Sequence, residues 1–417
     1  MTAERRTRFD GWLAGVCASR VLNGLVFMSY AAALPVVQRE WNMSGTQAGA
    51  VAGGFQIGYA FSLVVFSSIA DRISPKRLYL WSMFAAGISA LGFAIFARSF
   101  SSALILHTMV GISLGGTYTT GVMILADQFD ARSRGMAVGV FIASTSSGYA
   151  LSLLISGAAI PAGGYRLSFI LTGLGPLLGW MVAWITLRST VVVAARRREG
   201  QRFSREVLIH RPTMLLIWGY VFHNWELLGM WSWTPAFLAA CLTLAGSAPM
   251  EAAGSGAYMT ALFHSMGFLA SFSMGTLSDR FDRATVMLAL AATSMCCSFV
   301  FGWTANWPLA WVLGIGMVYA FSSLGDSPIL SAALTETVNS AYLGAALGLR
   351  SLLGFGAASL APMAFGLILD WTNPAVSDRR LYTGWGWAFS ILGLGGAGAV
   401  WAAWRFRNSR LRLRRSE

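Results

Sequence analysis

Residues 67–77 read Ser67-Ser-Ile-Ala-Asp71-Arg72-Ile-Ser-Pro-Lys76-Arg77, and residues 275–283 read Gly275-Thr-Leu-Ser-Asp279-Arg280-Phe-Asp-Arg283. Each stretch ends a long apolar run with an Asp-Arg pair followed by further basic residues, at an offset of 208 residues. A second match lies downstream. Asp127 stands eight residues before Gly135 and twelve before Gly139, and Glu336 stands eight before Gly344 and twelve before Gly348, at an offset of 209. Two matched anchors at nearly one offset imply an internal duplication, and parallel six-helix repeats are a known plan for membrane transport proteins.

Around these anchors the chain is 56% hydrophobic and 11% charged, far below the roughly 25% charged residues of soluble domains. Successive apolar runs of about 18–25 residues are each long enough to cross a hydrocarbon core of about 30 Å as a helix. They are continuous rather than alternating, which excludes a membrane barrel. The runs predict twelve spans, near 11–35, 45–70, 77–97, 101–125, 134–158, 166–187, 213–240, 255–277, 284–304, 308–331, 342–367 and 384–405. The expected fold is all-α and integral to the membrane, with two pseudo-symmetric six-helix bundles over 1–187 and 213–417, a linker over 188–212 and a basic tail. Gly111/Gly115, Gly135/Gly139 and Gly344/Gly348 have the small-xxx-small spacing of close helix packing.

The net charge of +13 is an orientation signal rather than a nucleic-acid patch. Arg5, Arg6, Arg8, Arg72, Lys76, Arg77, Arg132, Arg134, Arg280 and Arg283, the linker arginines and the six of the tail all fall on one side of a twelve-span plan. The opposite side has only Arg39, Arg98, Arg166, Arg379 and Arg380. The positive-inside rule then places both termini in the cytoplasm, with a bacterial inner membrane the expected location. The first apolar run is too long for a cleavable signal and carries Arg20. Cys17, Cys241, Cys296 and Cys297 sit at no metal-ligand spacing and imply no disulfide framework. A phosphate-binding Gly-Lys loop, a metal cluster and a nucleophile–base motif are all missing from the sequence. No enzyme activity, cofactor, metal or nucleic-acid partner is therefore expected.

At this point the chain resembles the major facilitator superfamily over nearly its whole length. The family's loop motif, roughly G-x-L-a-D-r-x-G-r-k, is matched by Asp71, Arg72, Lys76 and Arg77, and in its second copy by Gly275, Asp279 and Arg280. Ser67 and Ser74 replace the motif's glycines, and Pro75 stands where a basic residue is usual. The resemblance implies that Asp71, Arg72, Asp279 and Arg280, with Asp127 and Glu336, belong to cytoplasmic gates, where aspartates meet basic groups or helix N-termini. A solvated turn aspartate is the plainer alternative. Span 4 carries His107 before Gly111 where the family often has an arginine, and span 5 lacks the Gly-Pro pair of drug–proton antiporters.

Ionisable residues within spans are costly, about 2.5–3.5 kcal/mol each on insertion scales, and usually face a cavity or a partner. They are Arg20, His107, His223, Glu226, His264, Asp326 and Arg350, in spans 1, 4, 7, 7, 8, 10 and 11. The resemblance implies that spans 1, 4, 7 and 10 line a central cavity, flanked by 2, 5, 8 and 11, so these residues sit where a solute site belongs. Arginine keeps its charge and offers a planar fork to carboxylate. Arg20 and Arg350, one from each half, are therefore candidate substrate ligands, with His223 and Trp225 beside them. A fixed Arg350–Asp326 pair is the structural alternative. Glu226 and Asp326 are candidate proton-coupling groups, since burial penalises a charged carboxyl. Glu226 and His223 share a helix face at i, i+3, and a hydrogen-bonded packing pair is an equally open reading.

The expected function is secondary active transport of a small organic anion by alternating access, as a proton-coupled carrier or an exchanger. Trp225-Glu-Leu-Leu-Gly-Met-Trp231-Ser-Trp233 also resembles cyanate- and nitroimidazole-permease relatives within the superfamily. Proton-coupled efflux of cationic or lipophilic compounds, and a non-transporting membrane sensor or assembly factor, are the alternatives. The expected partners are a small solute, protons and the lipid bilayer, and the expected state is a monomer.

Overall fold

A computed structural model describes residues 6–70, 72–130, 132–192, 205–339, 342–374 and 382–416. Asp71 and residues 193–204 of the 188–212 linker lie outside the described residues. Among the described residues thirteen α-helices form, and their ends follow local chemistry. α1 (Gly11–Gly24) starts where Asp10 accepts from the Leu13 N–H at 2.9 Å. A turn at residues 25–28 separates it from α2 (Ser29–Glu40), and together they make span 1. α3 (Gly45–Ile69) opens with a Ser44/Gln47 capping box, in which each side chain satisfies one of the helix's orphan donors. α4 (Pro75–Phe96) explains the motif's odd residue: Pro75 occupies the first helical turn, where its missing N–H is harmless.

α5 (Phe100–Gln128) is followed by α6 (Arg134–Leu187), 54 residues that break at Gly163 and Gly164 into the predicted spans 5 and 6. Gly164 has φ of 71°, a left-handed conformation that glycine adopts without strain. Asp130, outside the spans, accepts from the Ser133 N–H and hydroxyl, and these bonds hold its carboxyl below the usual carboxylate range. After the short α7 (Arg205–Ile209) come α8 (Arg211–Leu244), α9 (Pro249–Arg280), α10 (Arg283–Phe301), α11 (Leu309–Thr337), α12 (Leu343–Thr372) and α13 (Gly386–Ser416). Among the described residues, ten helical stretches are long and apolar enough to cross a membrane. α6 counts once among them although it bends into two spans, and α9, with 32 residues, is also long enough to cross. The chain is an integral multi-pass membrane protein.

With an even number of crossings, both termini lie at one end of the molecule, here the terminal end; the other is the far end. α1 packs on α6, α3 and α4 on α5, and α4 on α6; α8 packs on α9, α12 and α13, and α10 on α11 and α13. Contacts between these two groups run through α3–α12, α6–α9 and α2 with α8 and α9. They concentrate toward the far end. There, side chains at Gly45, Gly49 and Gly53 of α3 would strike the backbone at Gly366, Pro362 and Ser359 of α12, and Gly157 of α6 meets Gly254 of α9 equally closely.

The small-residue motifs divide accordingly. Gly111 and Gly115 pack against Phe55 and Ser62 of α3 as helix-packing glycines. Gly135, Gly139, Gly275 and Gly348, on the terminal-end parts of α6, α9 and α12, would meet nothing within 4 Å. The packing expected of Gly135/Gly139, and of Gly348 in its pair, is therefore not made in this conformation.

Candidate functional site

Arg20 sits ten residues into α1 and is 2% exposed. Its Nε donates to Thr145 Oγ1 and its Nη1 to Thr117 Oγ1, both at 2.9 Å. Thr117 also accepts from Asn23 Nδ2 at 3.2 Å, and the Asn23 Oδ1 is buried without a partner. The guanidinium lies 5.7 Å from the Tyr118 ring and 5.4 Å from that of Phe141. Hydroxyls and rings orient this cation, and none of them neutralises it.

Arg350 of α12 is held in a parallel way. Its Nη1 donates to Ser331 Oγ at 2.9 Å, its guanidinium stands 4.2 Å from the Tyr220 ring, and its buried Nε has no partner. Among the described residues, neither arginine forms an ion pair with a carboxylate. Tyr118 feels the charge of both Arg20 and Arg350, and Tyr59, Tyr149 and Tyr220 lie within electrostatic reach of it and of one another. The two arginines come from opposite groups of helices, and Tyr118 lies within electrostatic range of both. Sequence reading found the charges and missed the tyrosines, which carry no charge to mark them inside an apolar span.

The remaining in-span charges are not arranged as their spacing suggests. Asp326 lies 2.9 Å from His223 Nδ1, so the alternative Arg350–Asp326 pair does not form. His223 and Glu226 leave α8 three residues apart, yet their side chains diverge. Glu226 Oε1 accepts from Ser294 Oγ of α10 at 2.9 Å, and its other oxygen lies beside Gly396 of α13. Trp225 donates to the Ile391 carbonyl of α13 at 3.1 Å and packs on Gly395. Glu226 and Trp225 therefore face α10 and α13, behind the space that Arg350 and Tyr220 border. Glu226, His223 and Asp326 remain electrostatically linked. His107 bonds the Val51 carbonyl at 3.1 Å and stacks 4.8 Å from Phe55; His264 stands 4.9 Å from Trp231.

Of the residues expected at the gates, Asp279 and Glu336 share Arg283, at 2.6 and 2.9 Å, a link that ties α9, α10 and α11 at the terminal end. Arg72 and Arg280 are exposed. Asp127 accepts from the Gln128 side chain at 2.9 Å, and Asp71 lies outside the described residues.

A cluster that the sequence reading did not single out closes the far end. Asp370 of α12 accepts from the Gly45 N–H at 2.7 Å and from the Thr46 N–H and hydroxyl at 2.8 Å each. Tyr382 donates to it at 2.8 Å and accepts from Gln38 at 3.0 Å. The carboxylate of one group of helices thus caps the N-terminus of a helix in the other, where the helix dipole favours negative charge.

A profile described as Major Facilitator Superfamily matches residues 16–253. The chain is 24% identical over 370 residues to the candidate niacin/nicotinamide transporter NiaP of Bacillus subtilis, covering 86% of each protein. It is 22% identical over 360 residues to the cis,cis-muconate transport protein of Acinetobacter baylyi, covering 82% of this chain and 83% of that one. In fold it is similar to a bacterial homolog of the human lysosomal transporter Spinster in an inward-facing, occupied conformation. The TM-score is 0.76 at 18% identity, covering 96% of this chain and 97% of that one. A D-xylose–proton symporter aligns with a TM-score of 0.73 at 16% identity, covering 95% of this chain and 98% of that one.

Proposed function

The chain belongs to the Major Facilitator Superfamily, and on that premise we propose that it is a secondary active transporter of a small organic anion, held between Arg20 and Arg350. One observation carries this reading. Two guanidinium groups, one from each group of helices, lie within electrostatic range of the same tyrosine and lack carboxylate partners among the described residues. Interior cations usually have a partner, and a substrate anion is the partner this geometry accommodates. The names of the relatives, niacin and cis,cis-muconate among them, agree with an organic acid.

The two bundles, over 1–187 and 213–417, rock about this site. In the present conformation Gly45, Gly49 and Gly53 are jammed against α12 at the far end, while Gly135, Gly139, Gly275 and Gly348 stand open at the terminal end. Closing the terminal end would bring those open glycines into contact as the far end separates, which is alternating access. The arginine-rich loops make the terminal end cytoplasmic, and the protein works as a monomer in a bacterial inner membrane.

His223, Asp326 and Glu226 carry the coupled proton. An anion lodged on Arg350 places negative charge near His223, so proton and substrate reinforce each other's binding, as linkage requires of a symporter. Efflux of cations needs acids that face the solute, and Glu226 instead faces α10 and α13. Thermal-shift measurements on the purified protein test the reading. Carboxylates should stabilise it and lipophilic cations should not; the reverse pattern overturns it.

A further inference from the structure

α13 is longer than a membrane crossing requires. Its 31 residues extend about 46 Å at a rise of about 1.5 Å per residue, and a hydrocarbon core of about 30 Å is crossed in about twenty residues. Counted from Gly386 at the far end, the helix leaves the core near Arg405. From there to Arg415 the sequence holds six arginines and no acid. At about 100° per residue, Trp401, Trp404 and Leu411 fall on one stripe about 80° wide, and all three are exposed. Arg405 lies about 40° beyond one edge of the stripe and Arg407 about 40° beyond the other, while Ala402, Ala403 and Phe406 take the buried face. Among the described residues, neither arginine forms an ion pair with a carboxylate. The neighbouring segment has the same character. Leu208 and Ile209 of α7 are exposed beside the exposed Arg211 that opens α8, and Val207 shares a buried cluster with Phe406.

We infer that the terminal-end part of α13 binds an anionic phospholipid, with the phosphate between Arg405 and Arg407 and an acyl chain along Trp404 and Trp401. The chemistry favours a lipid over simpler partners. Guanidinium groups grip phosphate by forked, charge-assisted bonds, but a soluble phosphate makes no use of an exposed tryptophan stripe that runs into the hydrocarbon. A lipid without net charge covers the stripe and is held less by the arginines. At a membrane surface each arginine of such a cluster raises the affinity for anionic headgroups about fivefold. The site is independent of the solute carried.

Fluorescent phosphatidylglycerol and phosphatidylcholine of equal chain length are titrated into the full chain in nonionic detergent, with glycerol phosphate as a soluble competitor. Phosphatidylglycerol should bind about 30-fold more tightly than phosphatidylcholine, the product of two arginines. Arg405→Gln combined with Arg407→Gln should remove most of that preference. Arg98→Gln combined with Arg166→Gln, which takes the same charge from exposed positions at the far end, should preserve it. The preference should fall as salt is raised, and glycerol phosphate should not displace the lipid. The wild-type comparison needs no variant, so a misfolded mutant leaves the test intact. Equal binding of the two lipids overturns the proposal, as does a preference unchanged by the Arg405 and Arg407 substitutions or equally reduced by the far-end pair. Displacement by glycerol phosphate at matched concentration would make this a soluble-phosphate site and overturns it as well.

Discussion

Replacing Arg20 with glutamine separates a ligand-binding cation from a structural one. In the free protein Arg20 is buried with two threonine hydroxyls and two rings for company, and holding that unpaired charge within the bilayer is costly, about 2.5–3.5 kcal/mol on insertion scales. Glutamine can still donate to one threonine without bringing a charge, so Arg20→Gln should leave the ligand-free melting temperature unchanged or raise it. The bound acid, in contrast, loses a forked contact whose charge-assisted hydrogen bonds contribute about 1.5–3 kcal/mol each. Taking about 3 kcal/mol for the fork, the dissociation constant should rise about 150-fold. Arg20→Lys keeps the charge and loses the fork, so a loss of about tenfold is expected. Titration of benzoate into the wild type and both variants, with a melting curve for each, reads both quantities. A large drop in ligand-free melting temperature with affinity kept within twofold would make Arg20 a packing residue and refute the reasoning.

Three further perturbations follow from the geometry. Asp326→Asn breaks the 2.9 Å link to His223 and should abolish pH-driven accumulation while sparing exchange of labelled for unlabelled acid; proton-driven uptake at wild-type rate would contradict the coupling role. Asp370→Asn turns an amide toward the Gly45 and Thr46 N–H groups, and a loss of about 2 kcal/mol would shift the open-to-closed ratio of the far end about 30-fold. Spin labels on the far ends of α3 and α12 should report longer distances, and an unchanged distribution would show that the cap does not hold that end. Gly49→Val should disfavour the present conformation by striking Pro362. Gly139→Val, which meets open space here, should leave this conformation intact yet slow transport by obstructing the other, and equal effects of the two variants on far-end spin-label distances would contradict the rocking scheme.

Much of the architecture was legible because lipid imposes a simple requirement: apolar runs of fixed minimum length, with arginines gathered on one side. Even the break in α6 falls in the gap left between the predicted spans 5 and 6, at two glycines. Side-chain direction was less legible. His223 and Glu226 share a helix face by spacing, yet small neighbours on α13, Gly395 and Gly396, make room behind α8 that Trp225 and Glu226 fill. Nothing in a single helix's pattern reports which of its neighbours is glycine. Asp370 escaped notice because an acid at a span end is unremarkable until the N-terminus of α3, some 325 residues away in sequence, is set beside it. The tyrosines escaped for a similar reason, since they become a group only when α3, α5, α6 and α8 converge.

Counterflow in proteoliposomes tests the central claim most directly. Vesicles containing the purified chain are loaded with unlabelled benzoate, diluted into labelled benzoate at equal pH on both sides, and followed for transient accumulation of label. The account predicts saturable accumulation that other carboxylates inhibit and that Arg20→Gln or Arg350→Gln removes. Accumulation surviving both substitutions, or none with any carboxylate while labelled tetraphenylphosphonium exchanges readily, would contradict it.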